Sequence, residues 1–553
     1  MRALTAFFFT AAQVIGLWWS NPGMESSVGW LGICLLIICL TPLTYLVQNL
    51  LFMGAEKLFG GRSSAGAAQN ADSTRERKTF RRHLPPAPVF KASRAFWCAF
   101  TVIMLGFFIP FATYYPAIMA YDVIPQLDQI KLSGYTTHHP LIHTLFLAGC
   151  LKVGELLPFV SNADRAGLAV YSLLQMSFMA GAFSYVYVFL RKRNVNFYIC
   201  CLYVLCVAFF PTHGMLAVSI TKDSLYAVLV MLFTVMVYEA VTLHSLSTRW
   251  LVAYLAVTVL LLLFRNNSIY AWILFLIVYT IAMRKDRNYK KMMGTHIASL
   301  LLYLMINLCL VQASGATSAT YAREMLSVPT QQIARVIEYH GDELSAEDYE
   351  KIEKVWGEDN LPEYVPAIAD RSKRDISGDR EELETLAGLW ADLGLRYPGE
   401  YVKAFLLKSK GMWYLGDTSY LFDVYSYAKG YLQITYPSDQ QEYMDALLPG
   451  YHRHQKLQFL QAFYRYFAAS DVLWRYIPFL ALVMQPAFYC WLLFYYALIC
   501  IGMKRYRRLI PVIYLAALCG TLLLGPCVLV RYVYPIMLSV TVLVLADLGH
   551  KTN

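Results

Sequence analysis

The chain has 553 residues, 58% of them hydrophobic and only 15% charged, with a formal net charge of +10 and a mean hydropathy of +0.44. A water-soluble domain carries charge on roughly a quarter of its residues, so the composition excludes an ordinary soluble enzyme. Apolar stretches recur at the ~20 residues a spanning helix needs, which predicts an all-α polytopic membrane protein.

In chain order, about twelve spans are expected, at 4–20, 28–53, 95–119, 166–190, 197–219, 224–243, 250–265, 268–283, 295–313, 474–502, 509–528 and 533–549. The first reads as a retained helix, because no small-residue cleavage pattern follows it cleanly and a second span comes at once. Basic residues set the orientation. Arg75, Arg77, Lys78, Arg81, Arg82, Lys91 and Arg94 crowd the loop after the second span. Arg191-Lys192-Arg193, Arg284-Lys285-Asp286-Arg287 with Lys290-Lys291, and Lys504-Arg505-Tyr506-Arg507-Arg508 mark later loops. Short loops rich in Lys and Arg stay cytoplasmic, so both termini are expected inside the cell. The net charge then reads as a juxtamembrane surface facing anionic lipid, with no nucleic acid required. All twelve cysteines, from Cys34 to Cys527, fall in apolar segments, as thiols used for helix packing do.

Four regions follow: two N-terminal spans and a basic cytoplasmic loop (1–94), a transmembrane core (95–313), a mostly helical external domain (314–473), and the C-terminal spans (474–553). The stretch 60–70, rich in Gly, Ser and Ala, reads as a cytoplasmic tether. The core contains a first external loop, 120–166. There the apolar run from Leu141 to Phe159 is interrupted by Lys152 and Glu155, so one or two helices lying on the membrane surface are expected. In the long external segment, Ser345-Ala346-Glu347-Asp348 resembles a capping box ahead of Tyr349, Ile352 and Trp356. Leu383, Leu386, Leu389 and Leu393 keep helical spacing up to Pro398-Gly399.

With so little charge in the chain, ionisable groups at the ends of spans stand out, since such groups are costly near the membrane and often functional. Asp122 follows the third span; Thr221-Lys222-Asp223 lies between the fifth and sixth, Arg265-Asn266-Asn267 between the seventh and eighth, and Arg531-Tyr532 directly before the last. Taken singly, Lys222-Asp223 reads as a solvated turn, and Arg265 or Arg531 as an arginine reaching lipid phosphates. His138-His139 precede Pro140 in a loop, where adjacent histidines rarely ligate one metal, and His143 and His213 read as hydrogen-bonded structural residues. Taken together, the four clusters fall on one side of the membrane. Lys222, Arg265 and Arg531 can then hold a lipid-linked phosphate, Arg through its bidentate fork and Lys as a point charge. Asp122 can accept a proton from an attacking hydroxyl as general base. Asp128, His138, His139, Asp223, Asn266 and Tyr532 are candidates for further substrate contacts.

The segment from Asp122 through Gly134-Tyr135 to His138-His139-Pro140 resembles the first external loop of GT-C membrane glycosyltransferases, in the protein mannosyltransferase and aminoarabinose transferase branches. Arg531-Tyr532 with Pro535 resembles the Arg-Tyr element near their last helices. Arg323-Glu324-Met325-Leu326, Pro329-Thr330-Gln331-Gln332 and Trp413-Tyr414 resemble an uncharacterised group of bacterial, mostly Gram-positive, membrane proteins. The resemblance covers most of the chain from Ala95 onward; the first two spans look like an addition. It implies a GT-C-like fold, a polyprenyl-phosphate sugar donor, inverting transfer to a glycan, lipid or protein acceptor at the outer face, and Asp122 as the base. The family's Asp-Glu pair is Asp122-Val123 here, so only the aspartate carries over. No cofactor is assigned, and the absence of the acidic motif that oligosaccharyltransferases use for metal leaves a divalent ion open. Two other readings compete. A transporter or lipid flippase predicts ionisable residues near span centres and broken helices in paired halves. A surface-polysaccharide polymerase or ligase predicts its catalytic residues in the long external segment.

Overall fold

The computed structural model describes residues 1–59, 91–119, 122–158, 160–317, 322–357, 360–374, 376–416, 447–449, 457–469 and 478–549. The expected tether at 60–70, the basic residues from Arg75 to Arg82 and most of 417–477 lie outside them.

The fold is a bundle of helices with a polar helical domain on one end. The helices are α1 (Arg2–Ser20), α2 (Trp30–Phe59), α3 (Ala92–Tyr114), α4 (Val123–Asp128), α5 (Leu141–Glu155), α6 (Ala163–Lys192), α7 (Phe197–Phe209), α8 (Pro211–Val218), α9 (Lys222–Thr242), α10 (Thr248–Leu263), α11 (Ser268–Met283) and α12 (Tyr289–Ser314). In the polar domain α13 (Ser327–His340), α14 (Ala346–Trp356), α15 (Arg380–Arg396) and α16 (Pro398–Lys408) follow. Then come α17 (Gln458–Ala469), α18 (Pro478–Met484), α19 (Pro486–Gly502), α20 (Ile510–Leu524) and α21 (Val530–Asp547). Among the described residues, eight helical segments are long and apolar enough to cross a membrane: α1, α2, α3, α6, α9, α12, Tyr506–Leu524 and α21. The chain is a helical membrane protein.

Burial separates the roles of these helices. In α9, 83% of the apolar window is covered by protein, and the helix is hydrophobic all round, as a central helix must be. In α12 and α2 the covered share is 6% and 11%, leaving apolar faces that suit lipid. Small residues let backbones approach where packing is tightest. A Cβ on Gly154 of α5 would lie 2.2 Å from the Ala163 carbonyl oxygen, and one on Gly167 of α6 would lie 2.6 Å from the Leu151 Cα. Glycine is therefore required on both helices, and the pair sets α5 firmly against α6.

Several expected spans are interrupted. The stretch 197–219 is two helices, α7 and α8, bent by 51° at Phe210-Pro211, because proline cannot donate into the α7 ladder and pairs poorly with a straight helix. The stretch 474–502 breaks at Gln485, again before a proline, Pro486. The run 95–119 is helical only to Tyr114; Ile118–Met119 forms a two-residue strand, β1, parallel to β2 at Ser219–Ile220. Non-helical backbone at this depth is tolerated only when protein satisfies it. Gln175, fully buried in α6, does so: its Nε2 donates to the carbonyls of Leu216 (3.1 Å), Ala217 (3.0 Å) and Ser219 (2.6 Å).

Polar groups gather in two layers. One lies at the starts of α9 and α21; the other, at their ends, joins Tyr238 to Asp547 (2.6 Å), Tyr496 to Asp547 (3.2 Å), Arg508 to Asp547 and Arg507 to Asp286. About 16 residues separate the layers along either helix, or about 24 Å at the α-helical rise.

The polar domain forms as its sequence patterns predict. Ser345 and Asp348 make the capping box of α14, and Leu386, Leu389 and Leu393 of α15 pack with Ile333, Val336, Ile352 and Trp356. The domain is tied to the bundle by backbone groups. Lys408, 2% exposed, donates to the carbonyls of Leu523 and Gly525 (both 2.7 Å) at the end of α20, and Ala369 N donates to Pro526 O (2.9 Å). Burial pushes the Lys408 ammonium down to about 8. Lys408→Met keeps the apolar stem but strands two carbonyls, at a cost of roughly 1–3 kcal/mol. Limited proteolysis of the domain in the full-length variant is expected to run about tenfold faster, and an unchanged cleavage rate would refute the tie.

Candidate functional site

The first polar layer is built by the β1–β2 pair. Its parallel register, Ile118 with Ser219 and Met119 with Ile220, brings the two following segments side by side. Asp122 then falls next to the first turn of α9, and Lys222 donates to its Oδ2. Thr221 caps α9, its hydroxyl accepting from the Asp223 backbone N–H (3.2 Å). That cap turns Asp223 inward, where it is 1% exposed.

Two arginines complete the cluster. Arg265, in the α10–α11 turn, donates to Asp223 Oδ1 at 3.1 Å and lies over the rings of Tyr226 (5.4 Å) and Tyr532 (5.0 Å). Arg531 stands between the carboxylates, 3.6 Å from Asp122 Oδ1 and 3.6 Å from Asp223 Oδ2. It also donates to the Tyr532 hydroxyl at 3.1 Å. Both Arg531 and Tyr532 lie in the first turn of α21 rather than ahead of it, so helix geometry fixes them. Three cations face two carboxylates, leaving a formal +1. Burial alone would raise the Asp122 carboxyl, but the charges of Lys222 and Arg531 outweigh it and hold the group well below the usual carboxylate range.

The remaining predicted residues divide. His139 is buried against this cluster, its Nε2 without a hydrogen-bond partner among the described residues, and burial together with the Lys222 charge pushes it down to about 3, so it is neutral. His138 is exposed, its ring 4.7 Å from that of His139. Asn266 Nδ2 donates to Thr137 O at 3.3 Å, tying the α10–α11 turn to the histidine loop. Asp128 accepts from Ser133 Oγ (2.5 Å) at the far end of α4 and is not drawn into the cluster, since the helix points it away from Asp122.

Sequence patterns did not reveal the buried network behind Asp122 and Lys222. His143 Nδ1 meets Gln126 Oε1 (3.1 Å), His143 Nε2 meets Tyr171 OH (2.7 Å), and Tyr171 OH donates to Gln175 Oε1 (3.0 Å). Gln175 Nε2 also donates to Ser219 O (2.6 Å), so the network runs from α4, which follows Asp122, to β2, which precedes Lys222. Its sequence signals were His143 and Gln175, the latter an amide in the middle of an apolar span. His143 and His213 are hydrogen-bonded structural residues as expected, the latter through Nδ1 to Tyr534 OH (2.7 Å).

Burial pushes His143 down to about 3 as well. For a histidine depressed on folding, the unfolded chain binds the extra proton between the two pKa values. The stability contribution is therefore present above about 6.5 and is lost as pH falls toward about 3. Each of the two sites adds up to about 1.4 kcal/mol per pH unit in that window. Thermal unfolding of purified protein is expected to fall steadily from pH 6.5 to 4.5, and His143→Gln should flatten that dependence. A slope unchanged by His143→Gln would contradict a neutral buried His143.

The model of a family of unknown function, DUF6020, matches residues 131–553. The match begins after Asp122 and includes Lys222, Asp223, Arg265 and Arg531. No curated protein and no solved structure matches the chain.

Proposed function

We propose that this chain, which belongs to the DUF6020 family, is a membrane glycosyltransferase that moves a sugar from a polyprenyl-phosphate carrier to an acceptor at the outer membrane face. The observation that carries the reading is the contact set of Asp122: one carboxylate held by Lys222 and Arg531 within a cluster of net charge +1.

The charges balance through the reaction. A polyprenyl-phosphate sugar is a phosphodiester with one negative charge, which neutralises the +1 cluster. The acceptor hydroxyl oxygen attacks the anomeric carbon, the carbon–oxygen bond to phosphate breaks, and its electron pair stays on phosphate oxygen. The hydroxyl proton passes to Asp122. The departing phosphomonoester approaches two negative charges as Asp122 loses one, so the cluster total is unchanged. Lys222, Arg265 and Arg531 sit where that charge develops, which lowers the barrier without a second carboxylic acid. A bound phosphate also draws the cations away from Asp122 electrostatically and raises its basicity toward the range a general base needs. His139 and Tyr532 line the same cluster, and Asn266 holds its rim.

The eight long helices, the bent α7–α8 pair and the shorter apolar helices α10, α11 and α19 supply the twelve crossings of a GT-C-like bundle in this reading. An even number returns both termini to one side. The second polar layer carries Arg507, Arg508 and, over the Tyr238 ring at 4.6 Å, Arg193, so in this reading it faces the cytoplasm and the Asp122 layer faces outward. The acceptor is a cell-wall polymer, a glycolipid or a protein. The bent α7–α8 pair and the break at Gln485 favour a transporter or flippase, which uses broken helices. Such a protein places its ionisable groups near span centres, whereas Asp122, Lys222, Arg265 and Arg531 cluster at helix ends.

The test is transfer by full-length protein in liposomes supplied with polyprenyl-phosphate sugars labelled in the sugar and with extracts of envelope glycans, glycolipids and proteins. Labelled acceptor and free polyprenyl phosphate should appear in equal amounts. Translocation of the donor across the bilayer without cleavage would overturn the enzyme reading in favour of a flippase.

A further inference from the structure

A groove between α10 and α12 lies apart from the Asp122 cluster. The two helices meet through their buried sides, where the Tyr254 ring is 5.5 Å from the His296 ring and both residues are fully buried. On another side of the same pair lies an open cavity of about 300 Å³, lined by Leu251, Val252 and Leu255 of α10 and by Gly294 and Ala298 of α12. Gly294 and Ala298 are one turn apart on a single helix face, and their small size leaves the space: a Cβ on Gly294 would meet nothing within 4 Å. Protein covers only 6% of the apolar window of α12, and Val252, Ile297 and Leu301 are exposed on these two helices. The groove therefore opens sideways, toward lipid.

One end of the groove is cationic. Lys290 and Lys291 line it, both exposed, and among the described residues neither makes an ion pair. This end lies at the level of the second polar layer, since Asn288 Nδ2 donates to Leu243 O (3.2 Å) just past α9 and Arg507 pairs with Asp286. The acids on the adjoining segments are engaged elsewhere. Asp286 also accepts from the Asn288 N–H (2.8 Å), and Glu239 accepts from Trp250 Nε1 (2.8 Å) and Tyr185 OH (3.2 Å). With its side chain turned to Leu243, Asn288 does not cap α12. An uncapped helix start presents N–H groups and a partial positive charge to an anion.

We infer that this groove binds an anionic phospholipid, its phosphate at Lys290, Lys291 and the start of α12 and one acyl chain against Leu251, Leu255, Gly294 and Ala298. The charges select the headgroup. A zwitterionic lipid would bring an ammonium to a mouth where no carboxylate is free among the described residues, whereas a lipid of net negative charge meets two cations and a helix start. Each lysine so placed strengthens binding roughly fivefold. The apolar lining selects a lipid over a soluble anion. Leu251 to Leu255 and Gly294 to Ala298 each run about 6 Å along their helix, and burying that surface needs a hydrocarbon chain. Binding here involves no transfer reaction, so it stands or falls separately from the glycosyltransferase reading.

The test uses full-length protein in phosphatidylcholine vesicles, with a photoactivatable group on the acyl chain of either phosphatidylglycerol or phosphatidylcholine, and maps the cross-linked peptides by mass spectrometry. The phosphatidylglycerol probe should label 248–255 and 290–298 saturably and at least fivefold more than the phosphatidylcholine probe. Lys290→Gln combined with Lys291→Gln should lower that labelling at least fivefold. Gly294→Leu should do the same by filling the groove, and leucine is the better helix former, so α12 is kept. Arg284→Gln combined with Lys285→Gln removes two charges from the same turn but outside the groove lining, and labelling should be unchanged. Equal labelling by the two probes, or an equal loss in the Arg284 and Lys285 variant, would overturn the site in favour of a diffuse basic surface. Competition by soluble glycerophosphoglycerol as strong as that by unlabelled phosphatidylglycerol would overturn the lipid as its occupant.

Discussion

Asp122→Asn is expected to lower the turnover of lipid-linked sugar by a factor of about 10² to 10⁴, the usual worth of a positioned general base, with expression and folding intact. Asparagine has nearly the shape of aspartate and still offers an oxygen to Lys222, so the Lys222–Asp122 contact is weakened rather than emptied. The substitution also raises the cluster from +1 to +2. Donor affinity should therefore hold or tighten while kcat collapses, a split that a merely structural role for Asp122 does not produce. Wild-type kcat in the variant would remove Asp122 from the chemistry. A large rise in donor KM at unchanged kcat would make it a binding residue instead.

Arg531→Ala carries the second largest effect. Among the described residues, Arg531 is the only cation within 4 Å of both carboxylates. Its removal takes the cluster to zero charge and leaves Asp122 and Asp223 facing each other with one screening group fewer. Donor KM is expected to rise by roughly ten- to a hundredfold, in line with the 1.5–3 kcal/mol of a charge-assisted hydrogen bond. A second consequence follows from the pKa. With one of its two main depressing charges gone, the Asp122 carboxyl moves up, so it becomes protonated at a higher pH. The acidic limb of the pH–rate profile should shift toward neutrality in Arg531→Ala and return most of the way in Arg531→Lys. A limb that stays in place would mean that Arg531 does not set the charge state of Asp122.

Much of this arrangement was legible in the chain, and the residues show why. Apolar length reveals a spanning helix because every backbone group must be satisfied within it, so α1, α2, α6, α9, α12 and α21 fall close to their expected limits. Charge at the ends of spans revealed Asp122, Lys222, Arg265 and Arg531, whose convergence needs only that they share one side. What composition misses is how a span ends. Pro211 and Pro486 break helices inside runs that hydropathy reads as continuous, and the residues after Tyr114 leave the helix while still apolar. Those breaks form the β1–β2 pair, and through it the register that places Asp122 beside Lys222. Similarly, Gln126, His143, Tyr171 and Gln175 are spread over three helices, and only packing at Gly154 and Gly167 brings them into one network. Asp128 shows the converse: an acid near the right place in sequence, turned by one short helix toward Ser133.

The most direct test of the cluster as the seat of a lipid phosphate is equilibrium binding of polyprenyl phosphate to purified wild-type, Asp122→Asn and Arg531→Ala proteins. The cation cradle predicts saturable binding by wild type, equal or tighter binding by Asp122→Asn, and at least tenfold weaker binding by Arg531→Ala. Equal affinity in all three proteins would contradict it.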